Sequence, residues 1–225
     1  MYKSTKEKKD VLEQSKQSYP VLFEMVFTAI LIGLICFMTF SGLGFITLGP
    51  IKLTVLTLPV AIGAVILGPR AGFILGTAFG IVSFITCFTT DPFGGVLVGV
   101  NAFYMFIVCV IPRIICGFVP AYIFRFLNKF DKTQVFSSAV SCLLTALLNT
   151  LLFLSFLWVF FANEFFTNQN IIGMLGGQIE NIIVLFATIA GTNAIIEAIT
   201  GLVLGSAICK ALIATTKKMK VTKKV

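Results

Sequence analysis

The sequence contains no histidine, a single tryptophan and only nine acidic residues in 225. Without histidine there can be no imidazole-based zinc site, no Ser-His triad and no histidine proton relay. Charge of either sign is scarce: 12% of positions are Asp, Glu, Lys or Arg, about half the share in an average soluble domain. Motifs are lacking too. There is no GxxxxGK[ST] phosphate loop, so ATP hydrolysis by that route is excluded, and there is neither HExxH nor GxSxG. The acids do not cluster as ExxE or DxxD pairs. A nucleophile with a base beside it cannot be found, and the chain is not expected to be an enzyme. The competing class, an integral-membrane enzyme acting on a lipid or prenyl substrate, would need an acid or metal site that these scattered carboxylates do not supply. Six cysteines are present, all in or beside apolar runs and none in a CxxC, which reads as small buried hydrophobes, not a disulfide framework or a metal site.

What is present is apolar: 58% of residues are hydrophobic. A soluble fold of this length would need far more polar surface, whereas a bilayer accepts apolar side chains on the outside of a bundle as well as inside it. The expected fold class is an all-α membrane protein, six transmembrane helices in one bundle. Taking about 20 apolar residues per crossing, the crossings fall near 21–40, 53–67, 71–88, 102–124, 135–161 and within 182–213. The organisation is thus an N-terminal segment at 1–20, a six-helix domain at 21–213 and a basic tail at 214–225. No A-x-A cleavage pattern follows the first apolar run, so it reads as retained.

Orientation follows from the basic residues. If the N-terminus is cytoplasmic, so are Lys3, Lys6, Lys8, Lys9 and Lys16, then Arg70, then Arg125, Lys129 and Lys132, then the lysines of the tail. Only Lys52 lies outside, and Arg113 falls within a helix. This positive-inside bias predicts cytoplasmic N- and C-termini. The net charge of +8 is therefore an orientation signal, not a nucleic-acid footprint.

Polar groups inside a bilayer are costly, which makes them informative. Arg113, Asn149 and Glu197 fall near the middles of the fourth, fifth and sixth crossings. Asn193 is one turn from Glu197, and Asn101 begins the fourth helix at its outer boundary. One reading is a pocket open to the outside, with Arg113 for an anionic group and the amides for hydroxyl or amide groups of a small ligand. The other is an ion pair between Arg113 and Glu197 that locks the bundle without touching any ligand. Small residues form a further pattern: Gly72, Gly76 and Gly80 are spaced four apart on the third helix, as are Ala29 and Gly33 on the first. Such stripes serve either internal packing or docking of a partner membrane protein.

Three separated blocks carry a resemblance: LGFITLGPIKLTVLTLPVAIGAVILGPRAGFILGTAFGIVSFI at 43–85, IPRIICGFVPAYIF at 111–124 and GTNAIIEAITGLVLGSAI at 191–208. In this order they resemble the substrate-binding S components of energy-coupling factor (ECF) transporters, most of all the pantothenate-type members. The resemblance implies a subunit that binds a water-soluble vitamin from outside, has no cofactor of its own, and works with a transmembrane coupling (T) component and two cytoplasmic ATPases that use the ATP. It further implies a ligand near the outer ends of helices four to six, favouring Asn101, Arg113, Asn149, Asn193 and Glu197, with the Gly-rich loop 41–52 as lid. It assigns Ala29, Gly33, Gly72, Gly76 and Gly80 to the docking face for the coupling protein.

Overall fold

The computed structural model describes residues 2–48, 51–131, 133–174, 191 and 194–222. The architecture is a helical bundle: α1 is Tyr2–Phe40, α2 Thr57–Ile66, α3 Pro69–Thr89, α4 Pro92–Leu127, α5 Val135–Thr167 and α6 Gln169–Met174. A last helix, α7, is Ala194–Thr215; it contains a π-helical stretch at Gly201–Gly205 and continues to Thr222. Helices are the natural outcome for such apolar runs, because each satisfies its own backbone where no water is available. Among the described residues, five helices are long and apolar enough to cross a membrane: the 21–40 part of α1, then α3, α4, α5 and α7.

The second expected crossing takes a different form. Residues 51–54 are a strand (β2) paired antiparallel with 45–48 (β1), Phe45 opposite Thr54 and Leu48 opposite Ile51. The segment read as a Gly-rich loop is therefore a two-stranded ladder, and only ten residues, Thr57–Ile66, are left as helix. All of them except Leu58 and Ile66 are buried, which explains a run that is apolar on every face. The base of the ladder is tied to α1 by the Gly44 N–H donating to the Met38 carbonyl at 2.8 Å. Bulk is excluded at Gly44, where a Cβ would stand 2.8 Å from the Leu56 side chain.

Between α2 and α3 the chain reverses at Gly68, whose φ of +96° only glycine adopts without strain. Pro69 then opens α3, a position where its missing N–H costs nothing. The 36 residues of α4 would extend about 54 Å as one straight helix, well beyond a core of about 30 Å. The excess is divided at Asn101, where φ −156° and ψ 101° break the helix. On the far side of α4, the Asp131 carboxylate caps α5: it accepts the Ser137 N–H at 2.9 Å, the Thr133 hydroxyl at 2.7 Å and the Thr133 N–H at 2.9 Å. Bonding to the Ser137 N–H, then to the Thr133 hydroxyl, holds this carboxyl well below the usual carboxylate range.

The glycine stripe of α3 forms the tightest seam. A Cβ on Gly72 would collide with the Gly117 carbonyl, one on Gly76 with the Arg113 carbonyl, and one on Gly80 would lie 2.7 Å from the Val110 Cα, all on α4. All three glycines are buried. Their assignment to a partner-docking face is thereby corrected: the backbone of α4 already fills the surface they offer. On α1 the outcome is opposite. Ala29 and Gly33 are exposed, and nothing lies within 4 Å of a Cβ built on Gly33. Gly201 and Gly205 pack internally against Cys142 of α5.

Three apolar clusters build the core. One joins Leu97, Met105 and Val108 of α4 to Leu157, Phe161 and Phe165 of α5; a second joins Leu31 and Ile35 of α1 to Val60, Leu75 and Phe79. The third gathers Ala61, Ile62, Val65, Phe124, Cys142 and Cys209. Large apolar side chains also cover the outside, for example Met25, Phe37, Phe103, Phe126 and Val159, as a lipid-facing surface requires.

Candidate functional site

Proline fixes where the arginine side chain goes. Pro112 has no N–H to give, so the Val108 carbonyl one turn back loses its helical partner. Arg113 folds back over that turn: its Nη1 donates to the Cys109 carbonyl at 2.9 Å and to the Val108 carbonyl at 3.4 Å. The guanidinium is then clamped between two rings, its Cζ 5.0 Å from the centroids of both Phe79 on α3 and Phe153 on α5. Two cation–π contacts in a dry setting contribute on the order of 1–2 kcal/mol each, less than the desolvation of a buried cation.

Arg113 is 7% exposed, and no carboxylate pairs with it among the described residues. Its Nε is buried without a hydrogen-bond partner. A bundle-locking ion pair with Glu197 is therefore not what the structure contains. Glu197, 1% exposed, accepts instead from α5: the Asn149 Nδ2 lies 3.2 Å from Oε1 and 3.4 Å from Oε2, and the Thr150 hydroxyl lies 3.3 Å from Oε2. These bonds tie α7 to α5 across a gap of 48 residues in sequence. Asn149 is itself 3% exposed, and its Oδ1 is buried without a partner. Asn149 stands one turn along α5 from Phe153, the ring on which Arg113 rests, so the buried interior holds one donor and one acceptor that the protein does not satisfy. Orphaned buried polar atoms are uncommon and call for an explanation; a ligand carrying both a carboxylate and hydrogen-bonding groups supplies one.

Of the five polar residues expected to line a pocket, Asn149 of α5 and Glu197 of α7 are thus joined, and Arg113 of α4 packs on Phe153, one turn from Asn149. Asn101 does not join them. It lies twelve residues from Arg113 along α4, about 18 Å at 1.5 Å per residue, and its Oδ1 accepts the Phe103 and Tyr104 N–H groups, each at 3.1 Å. This is an N-cap for the long half of α4. Asn193 lies outside the described residues. Sequence reasoning missed Thr150, Phe79 and Phe153. Thr150 could have been found as the neighbour of Asn149, but among 24 phenylalanines nothing distinguishes the two that flank a guanidinium. It also missed that Gly76 serves the site by admitting the Arg113 backbone.

Comparison with known proteins gives a consistent picture. The family model described as ECF transporter, substrate-specific component, matches residues 23–209. The chain is 28% identical over 173 residues to a protein named Pantothenic acid transporter PanT from Lactococcus lactis subsp. cremoris, covering 72% of this chain and 79% of that relative. It is 30% identical over 185 residues to Pantothenate transporter PanT from Leuconostoc mesenteroides subsp. mesenteroides, covering 76% and 82%.

Proposed function

Because this chain belongs to the substrate-specific components of ECF transporters, a family of vitamin-binding membrane subunits, we propose that the vitamin it takes up is pantothenate. The observation that carries this reading is Arg113, held between Phe79 and Phe153 with its Nε unpartnered and no carboxylate paired to it among the described residues, together with the unpartnered Asn149 Oδ1 one turn from Phe153 on α5. Pantothenate offers one carboxylate, two hydroxyls and an amide. Its carboxylate answers the guanidinium, and a hydroxyl or amide N–H answers the Asn149 oxygen. Glu197 holds Asn149 in position, and Asn193 is assigned to the same ligand only from its place four residues before Glu197 in the sequence. The two relatives named as pantothenate transporters support the choice of vitamin.

The N- and C-termini are cytoplasmic and the bundle makes six crossings, α2 serving as the second. The basic residues support this orientation: Arg70 lies at the α2–α3 turn and Arg125 in the last turn of α4, both on the side of the lysine-rich ends. The ladder of β1 and β2 then lies outside, over the ligand, as lid. Uptake requires a transmembrane coupling protein and two cytoplasmic ATPases, which use the ATP; this chain needs no cofactor of its own. The exposed Ala29 and Gly33 on α1 are the docking stripe for the coupling protein.

Calorimetric titration of the purified, detergent-solubilised chain with pantothenate and a panel of other water-soluble vitamins tests the assignment. Pantothenate is expected to bind at nanomolar to low micromolar affinity while the rest of the panel does not. Saturable binding of a different vitamin, with none of pantothenate, would overturn it.

A further inference from the structure

Away from the buried polar cluster, a cavity of about 310 Å³ opens where the start of the α1 span, the α2–α3 turn and the last turns of α4 meet. Leu67, Pro69, Phe118 and Tyr122 give it an apolar wall, and Arg70, Arg125 and Glu24 give it charge. The two arginines outnumber the one carboxylate. Among the described residues neither arginine is hydrogen-bonded or ion-paired, to Glu24 or to anything else. Arg125 is seated against the turn itself: a Cβ on Gly68 would stand 2.5 Å from its Nη2 and 3.2 Å from its Cζ. The missing side chain at Gly68 is what lets the guanidinium reach the mouth of α3, whose first N–H groups have no carbonyl within the helix to bond.

The surface leading away from this cavity is aromatic. Phe73 meets Phe118 edge-on at 6.4 Å, and Phe118 meets Tyr122 at 4.9 Å. Their outer faces are open: Phe73 is 47% exposed, Phe118 39% and Tyr122 51%. Two unpaired guanidinium forks beside a strip of exposed rings match an amphiphile with a phosphate at one end and hydrocarbon at the other. Arginine suits phosphate through its planar array of donors, and basic pockets between helices at the cytoplasmic face are where anionic headgroups bind.

We propose that this cavity binds the phosphate of an anionic phospholipid from the cytoplasmic leaflet, with Arg70 and Arg125 on the phosphate and an acyl chain along Phe118 and Phe73. The leaflet rests on the orientation inferred above; the site itself does not depend on which vitamin is carried. A membrane-resident anion at this position holds the ends of α1, α3 and α4 together. The same phosphate chemistry is offered by soluble phosphate, but only the lipid uses the aromatic strip.

Native mass spectrometry of the full-length protein, released from bilayers containing equal amounts of phosphatidylglycerol and phosphatidylcholine, tests the proposal. The wild type should retain phosphatidylglycerol over phosphatidylcholine by about tenfold or more, as expected for two basic groups near a headgroup. The Arg70→Gln/Arg125→Gln variant should lose that preference while its pantothenate titration stays unchanged, which also reports that it folds. Equal retention of phosphatidylglycerol by variant and wild type would overturn the proposal. So would a wild type that shows no lipid preference but binds millimolar inorganic phosphate, which would assign the cavity to a soluble anion. Loss of copurifying coupling protein in the variant, with lipid retention intact, would make the face a protein contact and likewise overturn it.

Discussion

The backbone carbonyl of Arg113 on α4 occupies the space that a Cβ on Gly76 of α3 would need. The stripe of small residues and the buried cation are thus one construction. Glycine at 76 lets two backbones touch, and that contact sets where the Arg113 side chain begins its path between Phe79 and Phe153.

Gly76→Leu should therefore abolish pantothenate binding in the isolated subunit and lower its thermal stability. Forcing extra carbon atoms into a packed seam costs about 1–3 kcal/mol, and more where the obstacle is backbone. Thermal unfolding in detergent together with a pantothenate titration reads both effects. Normal binding in this variant would mean that the α3–α4 seam is not as close as described.

Gly33→Leu should do the reverse. No atom lies within 4 Å of a Cβ at that position, so the isolated subunit keeps its fold and its affinity for ligand. Copurification of the coupling protein and ATPases should fall sharply, and with it uptake in vesicles holding the whole transporter. Intact assembly would remove α1 from the docking face.

Asn101→Ala should cost about 0.5–2 kcal/mol of stability through loss of a helix cap, with pantothenate affinity changed less than about twofold, since a residue about 18 Å from Arg113 makes no contact at the cluster. A large loss of affinity with unchanged stability would return Asn101 to the ligand site.

At the other end of α4, Asp131 gives a pH signature. Its carboxyl is held below the usual range by the Ser137 N–H and the Thr133 hydroxyl, so the folded state favours the ionised form. The resulting stabilisation is full above the unfolded value of about 3.9 and is lost as pH falls through the lower folded value. The melting-temperature difference between wild type and Asp131→Asn should be constant from neutral pH down to about pH 5 and shrink below about pH 4. A difference independent of pH across that range would mean the charge is not what caps α5.

Much of this was legible in the sequence because bilayers impose simple constraints. Apolar runs of about 20 residues located α3 to within a few residues and overlapped the membrane-spanning parts of α1, α5 and α7, and Arg113, Asn149 and Glu197 were singled out by the cost of polar groups in such runs. Residues 51–54 were not recognised as a strand because Ile51 and Lys52 fell to the Gly-rich loop while Leu53 and Thr54 read on into the largely apolar stretch of α2, and periodicity does not divide so short a stretch into two elements. The four-residue spacing of Gly72, Gly76 and Gly80 marked a close approach but carried no sign of its partner; only the structure distinguishes α4 from another protein. The match of Arg113 to the carbonyls of Val108 and Cys109 was implicit in the Pro112–Arg113 dipeptide, since a proline frees a carbonyl that an adjacent long side chain can reach.

The most direct test of the central claim, that Arg113 receives the ligand's carboxylate, is to titrate wild type and Arg113→Gln with pantothenate and with panthenol, its analogue bearing an alcohol in place of the carboxylate. Truncating one partner of a buried, hydrogen-bonded charge pair costs about 2–5 kcal/mol, so wild type should prefer pantothenate by at least about thirtyfold. In Arg113→Gln that preference should vanish, with panthenol binding little altered. A variant that still prefers pantothenate by the wild-type factor would contradict the account and confine Arg113 to the carbonyls of its own helix.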